Sequence, residues 1–360
     1  MTACIVRHPQ QTMADQLRQL AERAGNAPGP DVYGNGELIE TFEAKVADML
    51  GKPAALFLPS GVLAQCIALK IHCDQRGNNT VGLHPTSHLL LHEQDGYKHL
   101  WQLEAQRIGD PEKVLTYADL DACLPDGLAA MVLELPMREI GGQLPDWEDL
   151  THQVGWARRH GIAVHFDGAR LWHCPTRYDQ SLAEISALAD SVYVSLYKDI
   201  GGIAGAVLAG ETEFIDQARI WNRRAGGNLI SFYPYILAAE QGFDDNLSSI
   251  DAAVTYAGKL GPLLATLPGI RVNPEPPQAA MFHLHIDIDR ERLVEATADY
   301  AREHDVVVLP NPRAVDKDGH SVCEISVGRS TMAHPPEFWR DNLAAALARN
   351  AASGDRAPSP

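Results

Sequence analysis

The chain is poor in basic residues relative to acidic ones, and it has no long apolar run. Its 360 residues include 30 Lys and Arg against 47 Asp and Glu, which gives a formal net charge of −17. This charge argues against nucleic acid or an anionic membrane surface as a partner. No apolar run approaches the length of a membrane span, and the first residues lack the basic and apolar regions of a signal peptide. We therefore expect a cytoplasmic protein.

Cysteine is also scarce. The six cysteines are scattered and show no CxxC spacing, which favours buried thiols in a reducing compartment over disulfides or a metal site. Hydrophobic residues, in contrast, make up 45% of the chain. A chain of this length and composition can bury the cores of one large and one smaller domain.

Strand-like and helix-like patterns alternate over much of the chain. The predicted strands are 54–58, 80–83, 131–135, 163–166, 191–195 and 204–209, and the predicted helices are 10–25, 39–50, 62–72, 147–159 and 211–221. This alternation predicts an α/β fold with a mostly parallel sheet, which binds ligands at the carboxyl ends of its strands.

The pattern changes near residue 245, where a helix is followed by the mixed strands 281–288 and 306–309. We read this part as a smaller α+β domain. The predicted division is an N-terminal helix or arm (1–30), a large domain (31–244), a small C-terminal domain (245–348) and a polar, disordered tail (349–360).

An acid and a lysine follow two neighbouring predicted strands. Asp167 ends the apolar run 161–166, and Lys198 follows the run 191–195. A lysine can hold an aldehyde cofactor as a Schiff base, and a carboxylate can keep a pyridine nitrogen protonated. Pyridoxal phosphate (PLP) needs this combination. Taken singly, a lysine after a strand is usually a solvated surface residue, and an aspartate before a glycine is usually a turn residue.

Two further features fit a bound phosphate. Ser60 and Gly61 open a predicted helix, and a helix N-terminus presents unpaired N–H groups and a favourable dipole to an anion. Ser195 lies three residues before Lys198, and glycines follow the lysine, which suits close approach of the backbone to a phosphate. Each signal is weak alone, but together with the acid and the lysine they indicate a PLP site.

On these residues the sequence resembles the threonine aldolase and β-eliminating lyase branch of the fold-type I PLP enzymes. The resemblance covers about residues 30–230 and implies an aspartate aminotransferase-like large domain. The matching stretches are Asp31-Val32-Tyr33-Gly34, Met49 to Gly61, Ser87-His88 with Glu93-Gln94, His165 to Arg170 and Ser195 to Gly210.

The resemblance implies roles for the residues around the cofactor. Lys198 would be the Schiff-base lysine, and Asp167 would pair with the pyridinium nitrogen. The phosphate would be held by a further set: Ser60, Gly61, the backbone of Val62, Ser195, and Arg223 from a neighbouring subunit. The family usually has a hydroxyl residue at the position of Val62. For Arg223, an ordinary surface arginine is an equal alternative.

Other matched positions would face the substrate. His88 would stack on the pyridine ring and steer the substrate, although a histidine in an apolar run is often a core residue. Glu93 would hold a water or the substrate hydroxyl, or it is simply an acid at a helix start. Arg170 would bind the α-carboxylate through its planar fork of donors, or it packs against an acid in the core. His88 and His92 are four residues apart with Glu93 adjacent, which suits a metal if this segment is helical. The run Leu89-Leu90-Leu91 between them is equally consistent with a strand and no third ligand is evident, so we predict no metal.

Three positions depart from the family pattern, and all three concern the substrate. The N-terminal serine is missing from Ala3-Cys4-Ile5-Val6, and a histidine after the fourth strand is replaced by Met137, Arg138 and Glu139. A C-terminal arginine has no clean match, since Glu324 stands near its place with Arg313 and Arg329 nearby. The candidate substrate contacts are Arg170, Tyr33, Arg138 and Arg313.

The resemblance implies an aldolase-type lyase that cleaves a β-hydroxy-α-amino acid to glycine and an aldehyde. The base that removes the hydroxyl proton is left open among His88, a water held by Glu93, and Glu139. A β-elimination, racemisation or transfer to an aldehyde is the alternative, since all begin from a similar carbanion. A binding protein without activity is the third reading, against which Lys198 and Asp167 argue. The family also implies a homodimer or homotetramer with shared active sites.

Overall fold

The alternation of strands and helices is seen in a computed structural model, which describes residues 2–123 and 127–354, with side chains to residue 348. The strands are β1 (Ala3–Cys4), β2 (Ala54–Leu58), β3 (Thr80–Leu83), β4 (Glu104–Arg107), β5 (Ala130–Glu134), β6 (Ala163–Gly168), β7 (Ser191–Ser195), β8 (Ala206–Gly210), β9 (Ile270–Asn273), β10 (Met281–Ile286), β11 (Val306–Val307), β12 (Ala314–Val315) and β13 (Ser321–Ser326).

Helices connect most of these strands. They are α1 (Met13–Ala24), α2 (Glu37–Met49), α3 (Gly61–Arg76), α4 (His88–Leu91), α5 (Gly96–His99), α6 (Tyr117–Asp121), α7 (Trp147–Arg159), α8 (Cys174–Tyr178), α9 (Leu182–Ser186), α10 (Thr212–Arg224), α11 (Tyr233–Asn246), α12 (Ile250–Ala265), α13 (Arg290–His304), α14 (Arg329–Met332) and α15 (Pro336–Gly354). Short 3₁₀ helices lie at Arg138–Ile140, Leu171–His173 and Leu247–Ser249. None of the helices in the described ranges is long and apolar enough to cross a membrane.

The described residues form two compact units. The larger unit contains residues 11–139 and 144–248, apart from 124–126. Its seven-stranded sheet has the order β2-β8-β7-β6-β5-β3-β4. Strands β3 to β7 run parallel, whereas β8 is antiparallel to both of its neighbours. The predicted fold class, a mostly parallel α/β sheet with a smaller domain, is confirmed.

The local sequence explains why α3 begins where β2 has just ended. The Ser60 hydroxyl accepts a hydrogen bond from the backbone N–H of Leu63 at 3.3 Å, which caps the first turn. The helix ends at Gly77, whose φ of +63° is a left-handed conformation that glycine adopts without a steric penalty. Ile67 and Ile71 of this helix are fully buried in a core with Leu208 of β8. Each such side chain contributes about 1.5–3 kcal/mol by its burial.

The smaller unit contains residues 2–10, 140–143 and 249–354. An antiparallel sheet of order β12-β13-β10-β9 forms its centre, and β1 pairs with β11 in a parallel two-stranded sheet. The core includes Phe282 and Trp339, both buried, and the Trp339 indole N–H donates to the carbonyl of Thr331 at 2.9 Å. The α+β character predicted after residue 245 matches this arrangement.

The chain passes between the units at places that differ from the predicted boundaries. Helix α11 continues through residue 244, and the crossing follows Ser248. Residues 2–10 belong to the smaller unit, whereas α1 belongs to the larger. Helix α15 runs to Gly354, into the segment predicted as a disordered tail. The helix as a whole is rich in alanine, the strongest helix former, which favours its continuation. Residues 355–360 of that tail lie outside the described residues.

Candidate active site

A cavity of about 330 Å³ brings many of the predicted site residues together in the larger unit. It lies where β2, β5, β6 and β7 end, which is the edge where such sheets bind ligands. Its wall is formed by Pro59, Ser60, Gly61, Val62, Gln65, His88, Glu93, Glu134, Arg138, Asp167, Ala169, Arg170, Tyr193, Tyr197, Lys198, Ile203, Ala204 and Gly205.

The N-terminus of α3 forms one part of the wall. A side chain at Gly61 would place its Cβ 2.1 Å from the Tyr193 hydroxyl oxygen, so the tyrosine ring packs directly on the glycine backbone. Ser60 caps the helix, and the remaining N–H groups of its first turn have no partner within the helix. This part of the cavity is suited to a phosphate.

Asp167 supplies a buried carboxylate. It is 3% exposed in β6, and its Oδ1 accepts a hydrogen bond from the backbone N–H of Ala169 at 3.1 Å. Asp167 reaches the cavity because it lies near the carboxyl end of its strand. A buried carboxylate here can hold a proton on a ring nitrogen.

Lys198 lies in the loop 196–205, which connects β7 to β8. Burial lowers the pKa of the Lys198 ammonium below its ordinary value, and the Arg170 charge lowers it further, whereas Asp167 acts in the opposite direction. A lowered pKa increases the fraction of neutral amine at physiological pH. The neutral amine is the form that attacks a carbonyl carbon.

His88 and Glu93 form a pair on the same wall. The Nε2 atom of His88 lies 2.8 Å from a carboxylate oxygen of Glu93. Burial lowers the pKa of His88 below its ordinary value, although the charges of Asp167 and Glu93 oppose this shift. With its Nε2–H donated to Glu93, a neutral His88 ring has its basic lone pair on Nδ1.

A second histidine–carboxylate pair lies next to the first. The rings of His88 and His92 are 4.9 Å apart, and His92 Nε2 lies 2.9 Å from Oε1 of Glu139. The same oxygen accepts a hydrogen bond from the Arg138 guanidinium at 3.3 Å. Arg138 and Glu139 of this cluster belong to the segment that we expected to replace the family histidine.

Glu134 is a wall residue to which we assigned no role from the sequence. It pairs in register with Asp167 across β5 and β6. Burial, reinforced by the charge of Asp167, raises the pKa of Glu134 to about 8. Its Oε1 accepts the backbone N–H of Arg138 at 2.9 Å. The signal that could have revealed it is its position at the end of a predicted strand, as for Asp167.

Four predicted residues are not among the residues that form the wall of the cavity. Ser195 is fully buried, and its carbonyl accepts the Trp172 indole N–H at 3.3 Å. Tyr33 is half exposed, and Arg223 is exposed near the end of α10. Arg313 belongs to the smaller unit, where its guanidinium contacts His283 at 3.1 Å and Glu324 at 3.3 Å.

The chemistry of the wall fits PLP. A phosphate matches the N-terminus of α3, a pyridine nitrogen matches the buried Asp167 carboxylate, and an aldehyde carbon matches the amine of Lys198. Fold and cavity together define the class, a fold-type I PLP-dependent enzyme. The model of the β-eliminating lyase family matches residues 11–287, and the chain belongs to this family.

Similar proteins agree with this assignment. An Arabidopsis thaliana protein named low-specificity L-threonine aldolase 1 is 30% identical over 294 residues, which are 76% of this chain and 78% of that protein. Two solved structures are each 38% identical. A candidate L-allo-threonine aldolase of Listeria monocytogenes has a TM-score of 0.87 over 97% of this chain and 96% of its own. A candidate aromatic amino acid β-eliminating lyase/threonine aldolase of Exiguobacterium has a TM-score of 0.89 over 97% of both chains.

Proposed function

We propose that this chain is a PLP-dependent lyase that cleaves the Cα–Cβ bond of a β-hydroxy-α-amino acid to give glycine and an aldehyde. The observation that carries the proposal is the shared cavity of Lys198, Asp167 and the N-terminus of α3. The relatives named as threonine aldolases support this reaction. PLP, when bound, supplies the electron sink that accepts the electrons of the broken bond.

The other steps of the reaction are assigned to side chains of this chain. Asp167 holds a proton at the cofactor's ring nitrogen, and Lys198 moves a proton to and from Cα at its Nζ atom. Arg170 binds the α-carboxylate with its planar guanidinium. His88, neutral because burial lowers its pKa, is placed to accept the hydroxyl proton at Nδ1, while Glu93 fixes the ring through Nε2. Tyr193 supports Gly61 and with it the phosphate site.

We also propose a cytoplasmic homodimer or homotetramer. Tyr33 donates its backbone N–H to Ile230 at 2.9 Å, and both side chains are exposed, at 50% and 60%. The hydrogen bond sets the two residues side by side, and neighbouring exposed apolar side chains support an interface there. Arg223 is exposed and is proposed to reach the phosphate of a neighbouring subunit. Sedimentation of the purified protein and of an Ile230→Asp variant tests the assembly, with a smaller species expected for the variant.

The six free cysteines fit a reducing compartment, which cell fractionation can test.

The test of the activity is product analysis on the PLP-loaded protein. Threonine and phenylserine should give equimolar glycine and aldehyde. Release of ammonia and a 2-oxo acid instead would show β-elimination, and formation of the diastereomer inverted at Cα, without cleavage, would show racemisation at Cα. A visible absorption band that appears when PLP is added, and is absent from a Lys198→Ala variant, tests the cofactor separately from the reaction.

A further inference from the structure

The cavity contains a second guanidinium that the proposed reaction does not need. Arg170 and Arg138 both line the wall. One arginine is sufficient for the α-carboxylate of an amino acid, because a carboxylate accepts two parallel hydrogen bonds from a single guanidinium fork. The other guanidinium therefore requires a separate explanation.

Arg138 is held in place at both its backbone and its side chain. Its backbone N–H donates to Glu134 at 2.9 Å, and its guanidinium donates to Oε1 of Glu139 at 3.3 Å. Oε1 of Glu139 is in turn 2.9 Å from Nε2 of His92. The Glu139 side chain is 16% exposed, so this carboxylate is a partly buried anchor.

The charges of the acids in the cavity wall are compatible with the binding of an additional anion. Glu93 pairs with His88, and Asp167 is assigned to the cofactor's ring nitrogen. Glu134 is largely protonated at neutral pH, because its pKa is raised to about 8. A ligand carboxylate near Arg138 would therefore meet the positive charge of the guanidinium without a fully charged Glu134 beside it.

We propose that Arg138 is a specificity-determining residue that binds a carboxylate attached to Cβ of the substrate, and that Glu139 and His92 position its guanidinium. The inference rests on the proposed function and names its substrate class, the β-hydroxy-α-amino diacids. In 3-hydroxyaspartate, the Cα–Cβ bond breaks, the hydroxyl proton leaves and Cβ becomes a carbonyl carbon. Cα gains a proton, so the products are glycine and glyoxylate, with no net oxidation or reduction.

The experiment compares kcat/KM of the PLP-loaded enzyme for 3-hydroxyaspartate, threonine and phenylserine. We expect the diacid to be preferred. Arg138→Met should lower kcat/KM for the diacid by about 10²-fold and for threonine by less than about threefold, because only the diacid loses a charged contact. Arg138→Lys should recover part of the loss, and Glu139→Gln should raise KM for the diacid more than it lowers kcat. The control is Arg177→Met, which removes an arginine paired with the exposed Asp146 outside the cavity wall.

Equal losses on all three substrates would overturn the inference and leave the proposed function standing, since glycine would still form. Absence of glycine from every substrate would instead refute the proposed function. In that case the inference is tested by measuring ligand binding to the wild-type protein, without any variant. The wild-type PLP-loaded protein should bind L-aspartate at least about tenfold more tightly than L-alanine by calorimetry. Equal affinities would overturn the role of Arg138.

Discussion

Glu134 and Asp167 are paired directly in register across two parallel strands, so that two acids line one cavity from neighbouring positions. Only one of them needs its negative charge for the proposed chemistry. The raised pKa of Glu134, about 8, follows from burial first and from the charge of Asp167 second. Glu134 thus stays protonated at neutral pH, while the Asp167 carboxylate is available to a ring nitrogen.

This arrangement makes stability depend on pH. Between pH 4.5, the ordinary pKa of a glutamate, and about pH 8, folded Glu134 retains a proton that the unfolded chain has released. Its contribution to the free energy of unfolding is full below pH 4.5 and is lost as the pH rises through about 8. Glu134→Gln should therefore gain melting temperature relative to the wild type between pH 5 and pH 8.5. Parallel melting curves would contradict this expectation, and the exposed Glu148→Gln serves as the control.

Lys198→Ala should abolish cleavage, with kcat reduced by at least about 10³-fold, because no other described residue of the wall carries an amine that could take its place. The variant should also lose the visible absorption band of bound PLP. Absorbance spectra and glycine release from threonine measure the two effects independently. Lys113→Ala, which alters a lysine with a largely exposed side chain, should change neither.

The pH profile of kcat/KM should have an acidic limb centred below pH 6.5, because burial lowers the pKa of His88 and the neutral ring is the base. The Glu93 carboxylate raises that pKa, so Glu93→Gln should shift the limb to still lower pH. His88→Asn should remove the limb and cost about 10²-fold in kcat. A limb that stays in place in both variants would assign the base to another group.

Gly61→Ala should disrupt both the phosphate site and the packing beneath it, since the new Cβ would lie 2.1 Å from the Tyr193 hydroxyl oxygen. We expect a loss of about 1–3 kcal/mol in the free energy of unfolding, the usual cost of overpacking, and weaker PLP binding. Gly96→Ala is the matched control, because nothing lies within 4 Å of a Cβ there. Denaturant titration and PLP titration measure the two effects, and similar results for both variants would contradict the expectation.

Ser191 is predicted to stabilise the fold, although it is not among the residues that line the cavity. Its hydroxyl lies 2.8 Å from both His72 Nε2 and His165 Nδ1, and all three residues are buried. Ser191→Ala should cost about 1–3 kcal/mol, because two buried ring nitrogens lose their partner. Ser186→Ala should cost much less, since that buried hydroxyl makes no hydrogen bond to the described residues. Chemical denaturation of the two variants makes the comparison.

The sequence predicts several strands of the seven-stranded sheet to the residue, because they are buried on both faces. The bounds predicted for β2, β3 and β7 are those observed, since a strand covered on both sides reads as a short apolar run between turns. Strand β13 escaped prediction, because its run Ser-Val-Cys-Glu-Ile-Ser mixes polar and apolar residues and is stabilised by pairing with β10. Propensity at this length does not separate a strand from a loop.

Some residues of the candidate site could likewise be predicted from the sequence, and others could not. Asp167, Lys198 and Gly61 could be predicted, because polar residues after buried strands collect at one sheet edge. The pair of His92 and Glu139 could not, since these residues are 47 positions apart and only the folded chain brings them together. The run after His88 was equally consistent with a strand, whereas it forms the short helix α4. That helical turn places His92 beside His88.

The reversed direction of β8 limits how this enzyme can be redesigned. Because β7 and β8 are antiparallel neighbours, the loop 196–205 is closed at its base by the pairing of Ser195 with Ala206. An insertion or deletion in this loop would move Lys198 relative to a rigid frame on both sides. The segment 138–140 is a short 3₁₀ helix instead of a loop between paired strands, and its Arg138 lines the same cavity. Directed evolution for new substrates should therefore succeed through changes at positions 137–139 far more often than through changes in the lysine loop.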